Sequence, residues 1–366
     1  MQNTENKVVV WSWYPNDELD VAEQIGFNLY GDAVVKRRYY DRNQFREKDF
    51  NVIIYNYFFL PDDRHRIKED LSFADLIIHH TTEILYGPWD KYQQILQEFT
   101  NNNKFISICN GICNMDIYPK DRVYVDAQSF FTRIAHFCSP PLIQTETRTK
   151  TKLFDALMGK QDGRRHKVFN HLEKSNLLEN SFVNLFHDDG NNNIEEVYRS
   201  QDLDRFEDPR LIGIQHGSAK FVKNLENGRS MSHSIPKHIY DNSWYSLVTE
   251  TESGTTFITE KTTKCLMAGR IFVMFGERGT LKKLKQFGYR TFNNIINESY
   301  DEVADEDIRF AMAFEQVKKL SMIQDHVDVY NKMHETLIHN QTTLLDHHKR
   351  LQGIKDFMLP HFKLKK

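Results

Sequence analysis

The chain has 366 residues, a formal charge of −3, 40% hydrophobic and 13% aromatic residues. That is apolar material for a full core and more length than one domain ordinarily holds, so two domains are expected. The charge excludes a globally basic surface of the kind that clings to nucleic acid. No apolar run approaches the ~20 residues of a membrane span, and the polar lead of MQNTENKVVVWSW is unlike a secretory leader; a cytoplasmic protein is expected, in the host cytoplasm if viral.

In chain order, Lys7–Ser12 reads as a first buried strand, followed by the turn-prone Pro15-Asn16-Asp17 and a helical stretch through Ala22, Gln24 and Phe27. Short apolar runs at Val52–Tyr55, Leu76–His79 and Phe105–Cys109 alternate with polar segments such as Lys91–Phe99 that suit crossover helices. Residues 1–145 are therefore expected to form one doubly wound α/β domain. Ser139-Pro140-Pro141 breaks the pattern and sets the expected boundary near residue 145. Beyond it come an apolar run from Lys152 to Gly159, a helix over Val168–Lys174, and strands at Leu211–Ile214, Trp244–Thr249 and Ile271–Phe275. Helices are expected over Glu260–Ala268 and Leu281–Phe287. Residues 146–310 read as a second Rossmann-like domain. From 311 to 366 apolar residues recur three or four apart, predicting one or two long closing helices that pack back across the domains.

The four cysteines, Cys109, Cys113, Cys138 and Cys265, include no CxxC pair and read as reduced core thiols. The sixteen histidines show no ligand spacing, and Asp202-Leu-Asp204 has the form of a metal-binding D-x-D that an acidic chain produces by chance. Local basic clusters at Lys36–Arg38, Arg164–Lys167, Lys282–Lys285 and Lys363–Lys366 read first as solvated faces.

The stretch from Leu247 to Gly276 carries the most chemistry. Thr259 is a good N-cap, Phe257 and Ile258 precede it, and Gly269 stands where a helix ends with positive φ. Glu260, Lys261 and Lys264 then occupy the first turn or so. A helix N-terminus offers unpaired N–H groups and partial positive charge, and Lys261 and Lys264 add two cations on nearly one face, a combination suited to phosphate. A carboxylate such as Glu260 is able to accept hydrogen bonds from both ribose hydroxyls. On local features alone the same residues read first as a charge-complemented helix start with solvated lysines.

This pattern resembles the donor-binding region of fucosyltransferases and, more closely, a group of viral and bacterial glycosyltransferases of the GT-B fold. Their C-terminal domain carries a Glu, then ten residues on Thr-Glu-Lys, then a helix ending in small residues and a strand closing in Gly. Here Glu250 precedes Glu260 by that interval, Thr259-Glu260-Lys261 stands intact, and Ala268-Gly269 leads into Phe272–Gly276. Leu281–Leu284, Phe287-Gly288-Tyr289, Thr291-Phe292 and Glu298–Asp301 continue the likeness, and Phe154–Gly159 with Arg164-Arg165-His166 is similar to the entry of the same domain. The likeness spans about 150–310; residues 1–145 share only general α/β character.

The resemblance implies two facing Rossmann-like domains and a nucleotide-sugar donor, with Glu260 on the ribose and Lys261 and the Arg164/Arg165 cluster on the diphosphate. Glu250 would touch the sugar or order its loop, and no metal or other cofactor is required. Glu250-Thr251-Glu252 departs from the Glu-Asn-Ser of fucosyltransferases, so a fucose donor does not follow. An inverting transferase also needs a base beside the acceptor hydroxyl, at the C-terminal end of a strand of the first domain; Asp17 and Glu83 are the candidates. The expected reaction moves a sugar to a glycan or another hydroxyl acceptor. Two further readings are a phage-type DNA glycosyltransferase acting on hydroxymethylated bases, and a non-catalytic sugar-nucleotide or glycan-binding protein.

Overall fold

The computed structural model describes residues 8–12, 34–38, 49–57, 63–81, 94, 96–109, 118–125, 142–147, 149–160, 162–188, 194–200, 235–251 and 256–362. It divides into two compact units, residues 1–129 with 348–366, and residues 130–347.

In the first unit, the apolar runs of the sequence become strands of one sheet. These are β1 (Val8–Ser12), β2 (Val34–Arg38), β3 (Phe50–Tyr57), β4 (Leu76–Thr81), β5 (Phe105–Cys109) and β6 (Val123–Val125). They form one parallel sheet in the order β2-β1-β3-β4-β5-β6. Strand periodicity sorts the side chains. Val9, Trp11, Ile53, Tyr55, Ile77 and Phe105 pack with Ile67 of helix α1 (Asp63–Asp70) and with Leu96 and Phe99. The opposite face, including Val8, Val10, Val52, Ile54, Ile78 and Ile108, is covered from the far end of the chain by Ile354, Met358 and Phe362. A sheet covered on both sides is what parallel strands of near-continuous Val and Ile demand.

The second unit holds β7 (Lys152–Lys160), β8 (Ser181–Asp188), β9 (Ile194–Arg199), β10 (Ser243–Thr249) and β11 (Ile271–Phe275), in the order β11-β10-β7-β8-β9. Four strands run parallel and β9 pairs antiparallel with β8. Helix α2 (Gly163–Lys174) connects β7 to β8. After the short helix α3 (Lys237–Asn242), α4 (Glu260–Met267) connects β10 to β11. The two crossovers run outward in opposite directions from the β7–β10 pair, so right-handedness puts α2 and α4 on opposite faces. Beyond β11 follow α5 (Thr280–Gln286), a 3₁₀ turn (Glu298–Glu302), α6 (Glu306–Ser321) and α7 (His326–Leu345). Phe314 of α6 stacks on His171 of α2, and α7 packs on α4. Helix α8 (His347–Met358) and the 3₁₀ turn Leu359–His361 complete the described chain.

The closing segment thus consists of three helices, where one or two were expected. The breaks come at Asp325, which caps α7 by accepting from Asp328 N at 2.9 Å, and at Asp346. The helices α6 and α7 belong to the second unit and nearly all of α8 to the first. The strand expected at Leu211–Ile214, the helix after Asp17, Ser139–Pro141, Asp202–Asp204, Cys113 and Cys138 lie outside the described residues.

Candidate functional site

At the centre of the second sheet the chain leaves β7 toward one edge and β10 toward the other. The carboxyl ends of these two neighbours form the topological switch point, where open α/β sheets present a crevice. The segments leaving them are the starts of α2 and α4, and the residues singled out by spacing lie there.

Glu250 follows β10 directly. Its N–H donates to Phe275 O at 2.9 Å, extending the ladder to β11 by one residue. Its carboxylate is 1% exposed and turned onto the start of α4. Thr259 N donates to Oε1 at 2.9 Å, Thr259 Oγ1 donates to Oε2 at 2.6 Å, and the Thr262 hydroxyl donates to Oε1. Thr259 is the N-cap, in extended conformation, with its hydroxyl accepting from Lys261 N at 3.3 Å. At the other end, Gly269 adopts φ +63° and Arg270 N donates to Cys265 O at 2.8 Å, the six-to-one closure of a Schellman turn. Ile143 fills the space where a Cβ on Gly269 would stand, 2.4 Å from the nearest carbon.

Glu260 and Lys261 open the helix, each with a side chain 19% exposed. Burial works to raise the Glu260 pKa, but chiefly the Lys261 and Lys264 charges and its own backbone N–H overcome it and bring it down to about 2. Lys261 Nζ lies 3.1 Å from Thr259 Oγ1, 3.5 Å from Glu260 Oε1 and 3.8 Å from Glu250 Oε2. It also reaches Thr251 Oγ1 at 3.5 Å.

From β7 come the arginines. Asp162 caps α2 by accepting from Arg165 N at 2.8 Å. Arg164, 2% exposed, is gripped by two carboxylates: Nη2 donates to Glu277 Oε1 and Nε to Glu306 Oε2, both at 2.6 Å. Arg164 Nη1 also reaches Thr251 O at 3.5 Å, and Arg165 donates from Nη2 to Thr251 Oγ1 at 3.3 Å, with Asp162 Oδ2 at 3.4 Å from its Nε. Thr251 is therefore a meeting point for a cation from each of two helix starts.

The fold brings together Arg164, Arg165, Glu250, Thr259, Glu260 and Lys261, with Lys264 one turn on. Asp17 and Glu83 lie outside the described residues. Sequence reasoning missed Thr251 as the shared hydroxyl and Glu277 and Glu306 as the partners of Arg164. Glu277 carried a signal, since it follows the strand-ending Gly276 at the same sheet edge; Glu306 carried none. Among the described residues, no three His, Cys, Asp or Glu side chains are placed to hold a metal ion, and no helix is long and apolar enough to cross a membrane.

The fold defines an α/β protein with a parallel sheet and a mixed one, compatible with Rossmann-like architecture. No family model, curated protein or solved structure matches the chain.

Proposed function

We propose that this protein is a nucleotide-sugar-dependent glycosyltransferase of GT-B type whose donor binds at the switch point of the second sheet. The observation that carries the reading is the convergence of Arg165 and Lys261, from the starts of α2 and α4, on the Thr251 hydroxyl. Two cations that also lie beside carboxylates, Arg165 by Asp162 and Lys261 by Glu260 and Glu250, meet at 3.3 and 3.5 Å on one neutral oxygen, which gives an anionic group two positive side chains to bind at once. The donor diphosphate supplies such a group. Glu260, ionised at neutral pH, is the acceptor for the ribose hydroxyls. Arg164 is spent on Glu277 and Glu306, so it shapes the site while Arg165 faces the phosphate.

Negative charge grows on the leaving diphosphate as the sugar departs, and a fixed ammonium lowers that barrier without requiring a metal. The acceptor is a glycan or another hydroxyl compound. A panel of nucleotide sugars in thermal-shift assays tests the reading, because a bound donor stabilises by RT ln(1 + [L]/Kd). Stabilisation by one donor and transfer or hydrolysis of its sugar are expected, with activity surviving exhaustive chelation. Lys261→Met should lower both donor affinity and kcat, the latter by about 10²-fold. A protein indifferent to every nucleotide sugar, or a Lys261→Met variant with normal turnover, overturns the proposal.

A further inference from the structure

We propose that Glu250 is a positioning residue that does not touch the ligand: it fixes the polarity of the Thr259 hydroxyl and thereby the place of the Lys261 ammonium. The inference rests on the donor site proposed above and deepens it.

A threonine hydroxyl has one proton to give and two lone pairs to receive with. Thr259 Oγ1 gives its proton to Glu250 Oε2 at 2.6 Å, which leaves only accepting capacity for Lys261. Lys261 occupies that capacity twice, with its backbone N at 3.3 Å and its Nζ at 3.1 Å. The other carboxylate oxygen receives Thr259 N and the Thr262 hydroxyl, so every described hydrogen bond to Glu250 comes from a donor. At 1% exposure, water has little room to substitute for any of them.

A glutamine at 250 has the same shape but only one accepting oxygen. Its amide nitrogen must face either Thr259 N and Thr262, where donor meets donor, or Thr259 Oγ1. In the second case the hydroxyl must accept from the amide and send its own proton toward Lys261. The first case sets donor against donor at the helix start that carries the hydroxyl, the second reverses the hydroxyl itself, and in both the net charge changes by one. The same logic makes Thr259 the relay, and it makes serine, but not alanine, an adequate replacement there.

The test is isothermal titration of UDP, GDP, ADP and CMP into the wild type, Glu250→Gln, Lys261→Met and the double variant, at a temperature where circular dichroism shows each folded. The tightest of the four nucleotides is carried through the cycle. The expected result is about tenfold weaker binding for Glu250→Gln and a double variant within about threefold of Lys261→Met alone, the non-additivity of residues acting as one unit. Thr259→Ala should repeat the pattern in its own cycle with Lys261→Met, and Thr259→Ser should bind as the wild type does. If Glu250→Gln does not fold, the Thr259→Ala cycle decides. Additive losses, or wild-type affinity in a Glu250→Gln protein that has merely lost thermal stability, overturn the role of Glu250 and leave the donor site standing. A wild type that binds none of the four nucleotides overturns the donor site, and this inference with it.

Discussion

Glu260 is held ionised in a largely buried position, and its charge ties stability to pH. Its pKa lies at about 2 when folded against an ordinary 4.5, so the folded state binds the proton less readily than the unfolded chain. The stabilisation is complete above pH 4.5 and drains away as pH falls toward 2. Thermal melts of wild type and Glu260→Gln should therefore differ most at neutral pH and converge in that acid window; a constant gap would contradict the ionised assignment. His79 has the same sign of linkage, in a higher pH window. Burial in the first sheet, where its ring stacks on Phe105, lowers its pKa from 6.5 to about 4. Between those values the unfolded chain takes up a proton that the folded chain refuses, so stability is full above pH 6.5 and is lost as pH falls toward 4. A His79→Leu variant should flatten that limb of the Tm profile, and an unchanged profile would show that the loss lies elsewhere. The residues most legible in the sequence were those with local jobs: Thr259 as cap and Gly269 as terminator act within a few positions of themselves. Arg164 was legible only as a cation, because the carboxylates that claim it lie 113 and 142 positions away.

Among the elements, β7 and β10 are joined by more than their ladder. Arg270, 2% exposed, donates from Nη2 to Asp155 Oδ2 at 2.7 Å, from Nε to Ser246 Oγ at 3.1 Å, and from Nη1 to the carbonyls of Tyr240 and Ser243. Ser243 and Ser246 donate to the same Asp155 oxygen. Removing one member strands a buried charge, so Arg270→Met should cost about 3–5 kcal/mol, while adding Asp155→Leu should recover part of the loss. Chemical denaturation of the single and double variants decides; a harmless single replacement would mean the network is redundant. The strands themselves were legible where the sequence is mostly apolar: β1, β3, β4, β5, β10 and β11 each carry a short run of aliphatic or aromatic residues. The edge strands β2 and β9 were not. β2 ends in Lys36-Arg37-Arg38 and β9 reads Ile-Glu-Glu-Val-Tyr-Arg, because an edge is free to carry charge and half its backbone needs no neighbour. β8, with Asn184 and His187 between its apolar residues, was also missed.

On the scale of the whole molecule, the first unit is discontinuous. Ile354 and Met358, 1% and 0% exposed, close one face of a sheet built almost wholly from residues 8–125. Ile354→Ala should cost about 2–5 kcal/mol in transfer and cavity terms. Hydrogen exchange should then quicken in β1, β3, β4 and β5 while β7, β10 and β11 keep their protection; equal quickening in both sheets would show that the units unfold as one.

That discontinuity has a consequence for synthesis on the ribosome. The strands of the first sheet emerge long before the helix that covers them, because residues 130–347 must be made in between. At about 5–20 residues per second, the nascent sheet waits roughly ten to forty seconds with a face of Val, Ile and Phe uncovered. Such a face is a substrate for chaperones and a nucleus for aggregation. The second unit, contiguous in the chain, has its whole sequence exposed first and is free to fold ahead of the first, reversing the order in which the two begin.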